Sequence, residues 1–550
     1  MTVWPASAAA AIVLGLVLTP IVDAVPATTA AGQSAPVSVT MIARLTAPER
    51  KTGFIDPTLL AGYTSEFGIL TRQLDQVINR PVVLGIDPSV IASIRILGSD
   101  APPSATAWLA RLDSATNETF PLRWADADLT LPLQAGSGAV LAPESFEYAI
   151  DPTRFSPAPD PGQITPTPLP TEPVTPDENP LPTSESLVAW DYTVDSIAWP
   201  AMNSVTSDDL AALGTDFETT ILSSANVGVS NAGTAVTKIG DAQALVSNDA
   251  LSTLFSATVS TGSSDAWQTA MASLATGVRA VSSTADSPAS ILLALDRDVA
   301  TSDTDLGITV DSVATTTGIQ VIGIAELLIT GAQSANLVDT EHDHALVTAT
   351  RDLLKDEADD RAFAQIAENP ALITGERRLD LLATLSNSWA TNSIGWESAR
   401  ITYETTSETL QSSVKIVKSS SITLWADRAS LPVTVSNALQ QPVTVYVTVR
   451  PLTPLVKVEN SFVAVTIEPE SQSKARVPVQ SLSNGIVELE VTLKAESGLE
   501  IGDTTYVRTT VQAGWETPFS IGVAILVVLI FVFGIVRTIL RRRAARASEQ

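Results

Sequence analysis

Six acidic residues stand where apolar, strand-like runs give way to polar chain. They are Asp87 after VVLGI, Asp126 and Asp128 after PLRWA, Asp296 and Asp298 after ILLAL, and Glu326 after QVIGIA. Two carboxylates facing each other across a barrel mouth perform glycoside hydrolysis: one protonates the leaving oxygen and the other attacks or activates water. Asp in the same place also serves as a helix N-cap, and Asp87-Pro88 has that character. His342 and His344 are the only histidines, in Thr340-Glu341-His342-Asp343-His344. On extended backbone both rings share one face beside carboxylates, a candidate metal site; in a polar loop opening a helix they are simply solvated, and their hydrophilic setting favours the loop. A metal-dependent sugar deacetylase needs an Asp and two His about one helical turn apart, and that spacing is absent. Trp124, Trp190 and Trp199 near strand ends are candidates for stacking on sugar rings if exposed, and for core or rim packing otherwise. No G-x-S-x-G, Gly-rich phosphate loop or dinucleotide fingerprint stands between a strand and a helix, so no cofactor is expected.

These residues need a scaffold. Apolar periodicity predicts helices over 64–78, 104–115, 207–213, 265–281 and 326–329. Strands are predicted over 81–86, 120–124, 194–199, 218–222, 244–246, 291–295 and 319–322. Strands alternating with helices across 37–340 predict a parallel α/β domain, a (β/α)-barrel-like fold with an open doubly wound sheet as competitor. Ser156 to Ser186 is rich in Pro, Thr and acidic residues and cannot bury apolar surface, so it reads as an extended insertion. From 343 to 418 the spacing becomes helical, with 394–417 expected as one long helix. The period then changes to two. Short alternating strands over 431–435, 443–449, 462–467, 475–479, 486–493 and 506–511 predict an immunoglobulin-like β-sandwich across 420–513.

Composition sets the surroundings. The 550 residues carry a formal net charge of −28 and no cysteine, which removes disulfides and thiolate chemistry together. An acidic body of that size repels phosphate backbones, so nucleic acid is excluded as a partner. Phe519 to Val536 is an uncharged run of eighteen residues, and five arginines against one glutamate follow in Arg537 to Gln550. At the helical rise that run covers roughly 27 Å, enough to cross a bilayer. The transmembrane helix is expected over 518–540, with Trp515 at its outer interface. The positive-inside rule puts the basic tail, 541–550, in the cytoplasm and the rest outside. Ala8 to Leu18 is apolar and Val22-Asp23-Ala24 fits a cleavage pattern, so 1–27 is expected to be an export signal, although no Lys or Arg precedes Arg44.

The stretches LPVTVSNALQQPVTVYVTVRP, SKARVPVQSLSNGIVELEVTL and the terminal helix with RRR resemble an actinobacterial cell-envelope family named as a domain of unknown function. Upstream, VVLGIDPSVI, AWLARL, RWADADLTL and SIAWPA resemble its barrel-like region. The resemblance covers most of the chain after Gly53 and implies a signal, an α/β region, a sandwich and one anchor. It also implies a cell-wall setting, since members are often encoded near the lipid II flippase. This chain departs from longer members in its Pro-rich insertion and in leaving little room for an extra N-terminal sandwich. The expectation is therefore a membrane-anchored scaffold that binds a cell-wall glycan or an envelope protein, with a carbohydrate-active hydrolase as the alternative.

Overall fold

A computed structural model describes residues 36–155, 181–228, 233–284, 289–299, 301–302, 304–418, 422–424, 428–511 and 516–546. The export-signal segment, most of the Pro-rich insertion, Trp515 and the last four residues lie outside the described residues.

The first domain carries β1 (Val37–Leu45), β2 (Val83–Ile86), β3 (Thr119–Pro121), β4 (Ile197–Ala198), β5 (Thr219–Ser223), β6 (Val227–Gly228), β7 (Val236–Ile239), β8 (Ala242–Ser247), β9 (Ser290–Ala294), β10 (Ile319–Val321), β11 (Gln333–Ser334) and β12 (Asn336–Leu337). Seven of them pair in parallel in the order β4-β5-β8-β9-β1-β2-β3. β7 lies antiparallel against β8, and β10 runs parallel to only the first residues of β1, Val37 to Val39. Parallel strands covered on both faces read as continuous apolar runs, and β2, β5 and β9 are buried at every position.

The two faces have different partners. Val39, Met41, Ala43, Ile291 and Leu293 point to the face covered by helices, where they meet Leu70, Leu74, Trp108, Phe255 and Val310. Ile42, Val83, Phe120, Ile197, Ile221, Leu245 and Leu292 form a second core drawn from the opposite face of nearly every strand. A sheet that packs its own inner faces together must be curled. Its two ends approach each other, with Thr193 N and Val194 N donating to Thr119 O at 3.0 and 3.1 Å.

Two expectations need correction. The expected strands begin at residue 81, yet β1 is an interior strand of the sheet, flanked by β9 and β2. Ser38, Thr40 and Arg44 interrupt its apolar run and hide it, and the fold absorbs Thr40 by a bond from its hydroxyl to Ile322 O, 3.1 Å. The long helix expected over 394–417 stops at Gln411, and Val414–Ile416 becomes a strand, β13, of the next domain.

The helical segment is three helices, His344–Ala364, Pro370–Thr384 and Ser393–Gln411. It is not a separate body. Val347, Leu353, Leu379, Leu382 and Tyr403 join the helix-side core of the α/β domain. Buried charges tie the helices to one another: Arg377 Nε donates to Asp360 Oδ2 at 2.7 Å, and Ser407 Oγ donates to the same oxygen at 2.6 Å.

The second domain holds β13, β14 (Ile422–Leu424), β15 (Arg428–Asn437), β16 (Val443–Pro451), β17 (Val456–Val458), β18 (Val463–Ile467), β19 (Ser471–Ser481), β20 (Gly485–Lys494) and β21 (Glu500–Val511). They form two sheets, β13-β15-β19-β17 and β14-β21-β20-β16-β18. The period-two alternation sends Leu431, Val433, Val435, Val445, Val447, Val477, Leu489 and Val491 into one shared core. Phe363 and Ile366 at the end of the first of the three helices enter that core as well, and Thr444 N donates to Ile366 O at 2.8 Å. The last helix, Glu516–Arg546, contains a 22-residue apolar span, Ser520–Arg541, none of it buried against the rest of the chain.

Candidate functional site at the strand ends

The C-terminal ends of β2 and β3 carry Asp87, Asp126 and Asp128 into one buried region, and the link after β9 adds Arg297. Each carboxylate is occupied. Asp87 is the N-cap of Pro88–Arg95, and the helix-cap expectation for it is met: it accepts from Ser89 N at 2.9 Å, Ser89 Oγ at 2.7 Å and Ala125 N at 2.9 Å. Arg50 stands 3.9 Å away. Burial pushes the Asp87 carboxyl up, against the pull of Arg50 and the Ser89 bonds.

Asp126 follows Ala125, and both have left-handed backbones, φ 50° and 58°. That turn directs the carboxylate inward, where Arg297 Nη1 donates to Oδ1 at 2.5 Å. Burial raises this carboxyl too, with Arg297 and Arg44 opposing. Arg44, from β1, donates to the Asp296 and Val299 carbonyls at 3.0 Å each and so fixes the loop that holds Arg297. Its guanidinium is pushed down to about 10 by burial.

Asp128 Oδ1 accepts from Thr130 N, Thr130 Oγ1 and Leu131 N at 2.9, 3.1 and 3.0 Å. His342 Nε2 lies 3.4 Å from its Oδ2 and 2.9 Å from Thr130 Oγ1. Burial acts to raise Asp128, but His342 and these hydrogen bonds outweigh it and hold the carboxyl at about 2. For His342, burial acts downward and Asp128 more than compensates, so the imidazole is raised.

The helical segment roofs this region. Asp128 N donates to Leu385 O at 2.8 Å, and Asn387 Nδ2 donates to Asp126 O at 2.9 Å. Between roof and floor remains a cleft of about 190 Å³, bounded by Asp128, His342, Leu346, Asn387, Trp389 and Trp396 among others.

The other expected residues fall elsewhere. Asp298 is exposed, and Asp296 is half-buried with its amide bonded to Ser256 Oγ at 3.0 Å. Glu326 is exposed on the short helix Ile324–Leu328 after β10. Because β10 accompanies only the start of β1, Glu326 leaves the sheet away from the carboxylates at its end. Trp124 and Trp199 are not the exposed platforms required for stacking. They are 1% and 4% exposed, Trp124 packed edge-on against Phe54 and Trp199 under the Arg297 guanidinium. His342 and His344 do not share a face: His342 borders the cleft, while His344 is exposed as the first residue of its helix. Among the described residues no three His, Asp or Glu side chains gather as a metal site.

Sequence reasoning missed Arg297, Trp389 and Trp396. Arg297 was legible as a lone cation between two of the chosen aspartates. Trp389 stands in the Ser/Asn-rich link before the third helix and Trp396 in that helix's first turn, an unusual setting for two large apolar rings.

Among solved structures, the chain resembles Escherichia coli alpha-2-macroglobulin from domain MG7 to the C-terminus (16% identity, TM-score 0.15), covering 18% of this chain and 16% of that one. It also resembles the alpha-amylase AmyC of Thermotoga maritima (10% identity, TM-score 0.41), covering 68% of this chain and 93% of that one. WR4, a Caenorhabditis elegans MSP family member, matches at 8% identity and TM-score 0.15 over 18% of this chain and 99% of its own. Comparison with curated proteins gives no match. The family model of DUF6049, a family of unknown function, matches residues 8–547, and the chain belongs to that family.

Proposed function

We propose that this protein is a membrane-anchored envelope module that binds a cell-wall glycan or an envelope protein and does not hydrolyse it. The observation that carries this reading is the pairing of the strand-end carboxylates. Asp126 is spent on Arg297, Asp87 caps a helix beside Arg50, and Asp128 is held ionised by His342. A glycosidase needs one carboxyl that keeps a proton and a second that faces it across substrate. Here the carboxyl held ionised is the one on the cleft, and the two raised by burial are locked in internal bonds.

The wider frame rests on several supports. The curled sheet with its ends hydrogen-bonded supports the (β/α)-barrel-like reading, and the two sheets sharing one core support the immunoglobulin-like one. The unburied apolar helix supports a single-pass anchor. The arginines after it support a cytoplasmic tail, with the α/β domain and sandwich outside. The acidic body speaks against nucleic acid.

Purified protein incubated with peptidoglycan fragments and envelope polysaccharides is expected to retain them without releasing a product visible by mass spectrometry. A product that disappears in Asp126→Asn/Asp128→Asn would establish a hydrolase in place of this reading. Absence of both binding to wall fragments and crosslinks to envelope proteins would remove the reading altogether.

A further inference from the structure

We infer that the cleft beside Asp128 is a subsite for one neutral sugar ring, seated against Trp396 with a hydroxyl donating to Asp128 Oδ2. This rests on the glycan-binding reading above and gives it a location and a ligand class.

Four observations converge. The floor is polar and unevenly used: Asp128 Oδ1 takes three donors, whereas among the described residues Oδ2 meets only His342, at 3.4 Å. An ionised carboxylate has about four lone-pair sites, so Oδ2 keeps room for a hydroxyl. The walls are apolar. Trp389 has its indole N–H spent on Ala383 O at 3.0 Å and offers only ring surface, and Trp396 is half-exposed beside it. The size, about 190 Å³, is that of a single ring and falls below the roughly 300–1,000 Å³ of pockets for drug-sized ligands. The charge disfavours anions: His342 already faces the Asp128 carboxylate on the floor, and the chain as a whole carries −28.

An apolar peptide side chain fits these walls less well. It would strip water from Asp128 and His342 without replacing any hydrogen bond, which is unfavourable for each polar group left unpaired. A sugar ring brings an apolar C–H face for the indole and hydroxyls for the floor together.

The test uses the full chain in detergent micelles and ligand-observed NMR with methyl glycosides of glucose, galactose, mannose and N-acetylglucosamine, alongside retention of wall fragments. At least one glycoside is expected to bind. Trp396→Ala, and Ala390→Trp, which fills the cleft from its exposed rim, are expected to weaken it at least tenfold with unchanged circular dichroism. Asp128→Asn keeps an oxygen for the Thr130 and Leu131 amides and is expected to weaken it as well. Glycoside binding equal to wild type in the folded variants overturns the subsite, as does retention of wall fragments with no glycoside bound; both leave the glycan-binding reading standing. Binding of an apolar peptide abolished by Ala390→Trp, with no glycoside bound, also overturns it. Absence of both glycoside and wall-fragment binding in the wild type removes the subsite and the glycan half of the reading together, and leaves the envelope-protein half to the crosslinking experiment.

Discussion

Asp126 and Arg297, 171 residues apart in sequence, meet at 2.5 Å with their side chains 5% and 7% exposed. The contact exists because two consecutive left-handed residues, Ala125 and Asp126, turn the chain inward after β3. Asp tolerates that backbone better than most residues, and Ala does not, so the strain is retained for the contact it makes. A carboxylate held this way organises the strand ends. It is poorly placed to exchange protons with a substrate.

Removing one partner of a buried ion pair leaves the other uncompensated, at a cost of about 3–5 kcal/mol. Arg297→Met is expected to destabilise the α/β domain by that order, measured by urea unfolding followed through tryptophan fluorescence. Asp126→Asn/Arg297→Met is expected to recover part of the loss, because the unpaired Asp126 charge is removed and Arg44 keeps Asp296 and Asp298 as counter-charges. A loss below about 1 kcal/mol in Arg297→Met would mean that Arg44 alone neutralises Asp126.

The His342–Asp128 pair makes stability depend on pH with a definite sign. His342 is raised in the folded protein, so its contribution is complete below the unfolded histidine value and fades as pH rises through the raised one. Asp128 is depressed to about 2, so its contribution is present above the ordinary carboxylate range and lost as pH falls towards 2. His342→Gln is expected to lower stability most between about pH 4 and 6 and progressively less above about 6.5. A wild-type minus variant difference that is flat with pH would show that the ring acts by packing alone.

Asp380 presents the opposite case. Burial pushes its carboxyl up to about 7, although Gly53 N donates to Oδ1 at 2.9 Å. A raised acid costs stability as pH climbs from its unfolded value to its folded one, after which the cost is constant. Asp380→Asn keeps an acceptor for Gly53 and removes the charge. The variant is expected to gain on wild type between about pH 4 and 7 and to hold that gain above. Denaturant unfolding across this range checks it, and a gain already full at pH 4 contradicts it.

Topology is open to a direct measurement because the chain has no cysteine. With an outside sandwich and an inside tail, Ser497→Cys, in the turn before β21, is expected to react with an impermeant maleimide in intact cells. Ser548→Cys is expected to react only after lysis. The reversed pattern would invert the orientation that the arginine cluster predicts.

Much of the architecture was legible because it depends on periodicity. Helix spacing, apolar runs and period-two alternation each reflect one local geometry, and an uncharged run of eighteen residues reports its own length. The N-cap role of Asp87 was legible for the same reason, since it involves the next two residues. β1 was not, because Thr40 and Arg44 look polar until the fold supplies Ile322 O and the loop after β9 as partners.

The candidate site belongs to the tertiary structure. Six acidic residues had equal standing along the chain, and a one-dimensional pattern carries no information on which of them would be buried or paired. Parallel pairing of β2 with β3 brought Asp87, Asp126 and Asp128 together, and the short pairing of β10 with β1 left Glu326 apart. Packing of the helical segment over the strand ends then closed the region and set Trp389 and Trp396 beside Asp128. Local spacing determines which elements form, because each depends on neighbours within a few residues. Whether a carboxylate faces water, a cation or a ligand depends on residues hundreds of positions away, and only the packed chain decides that.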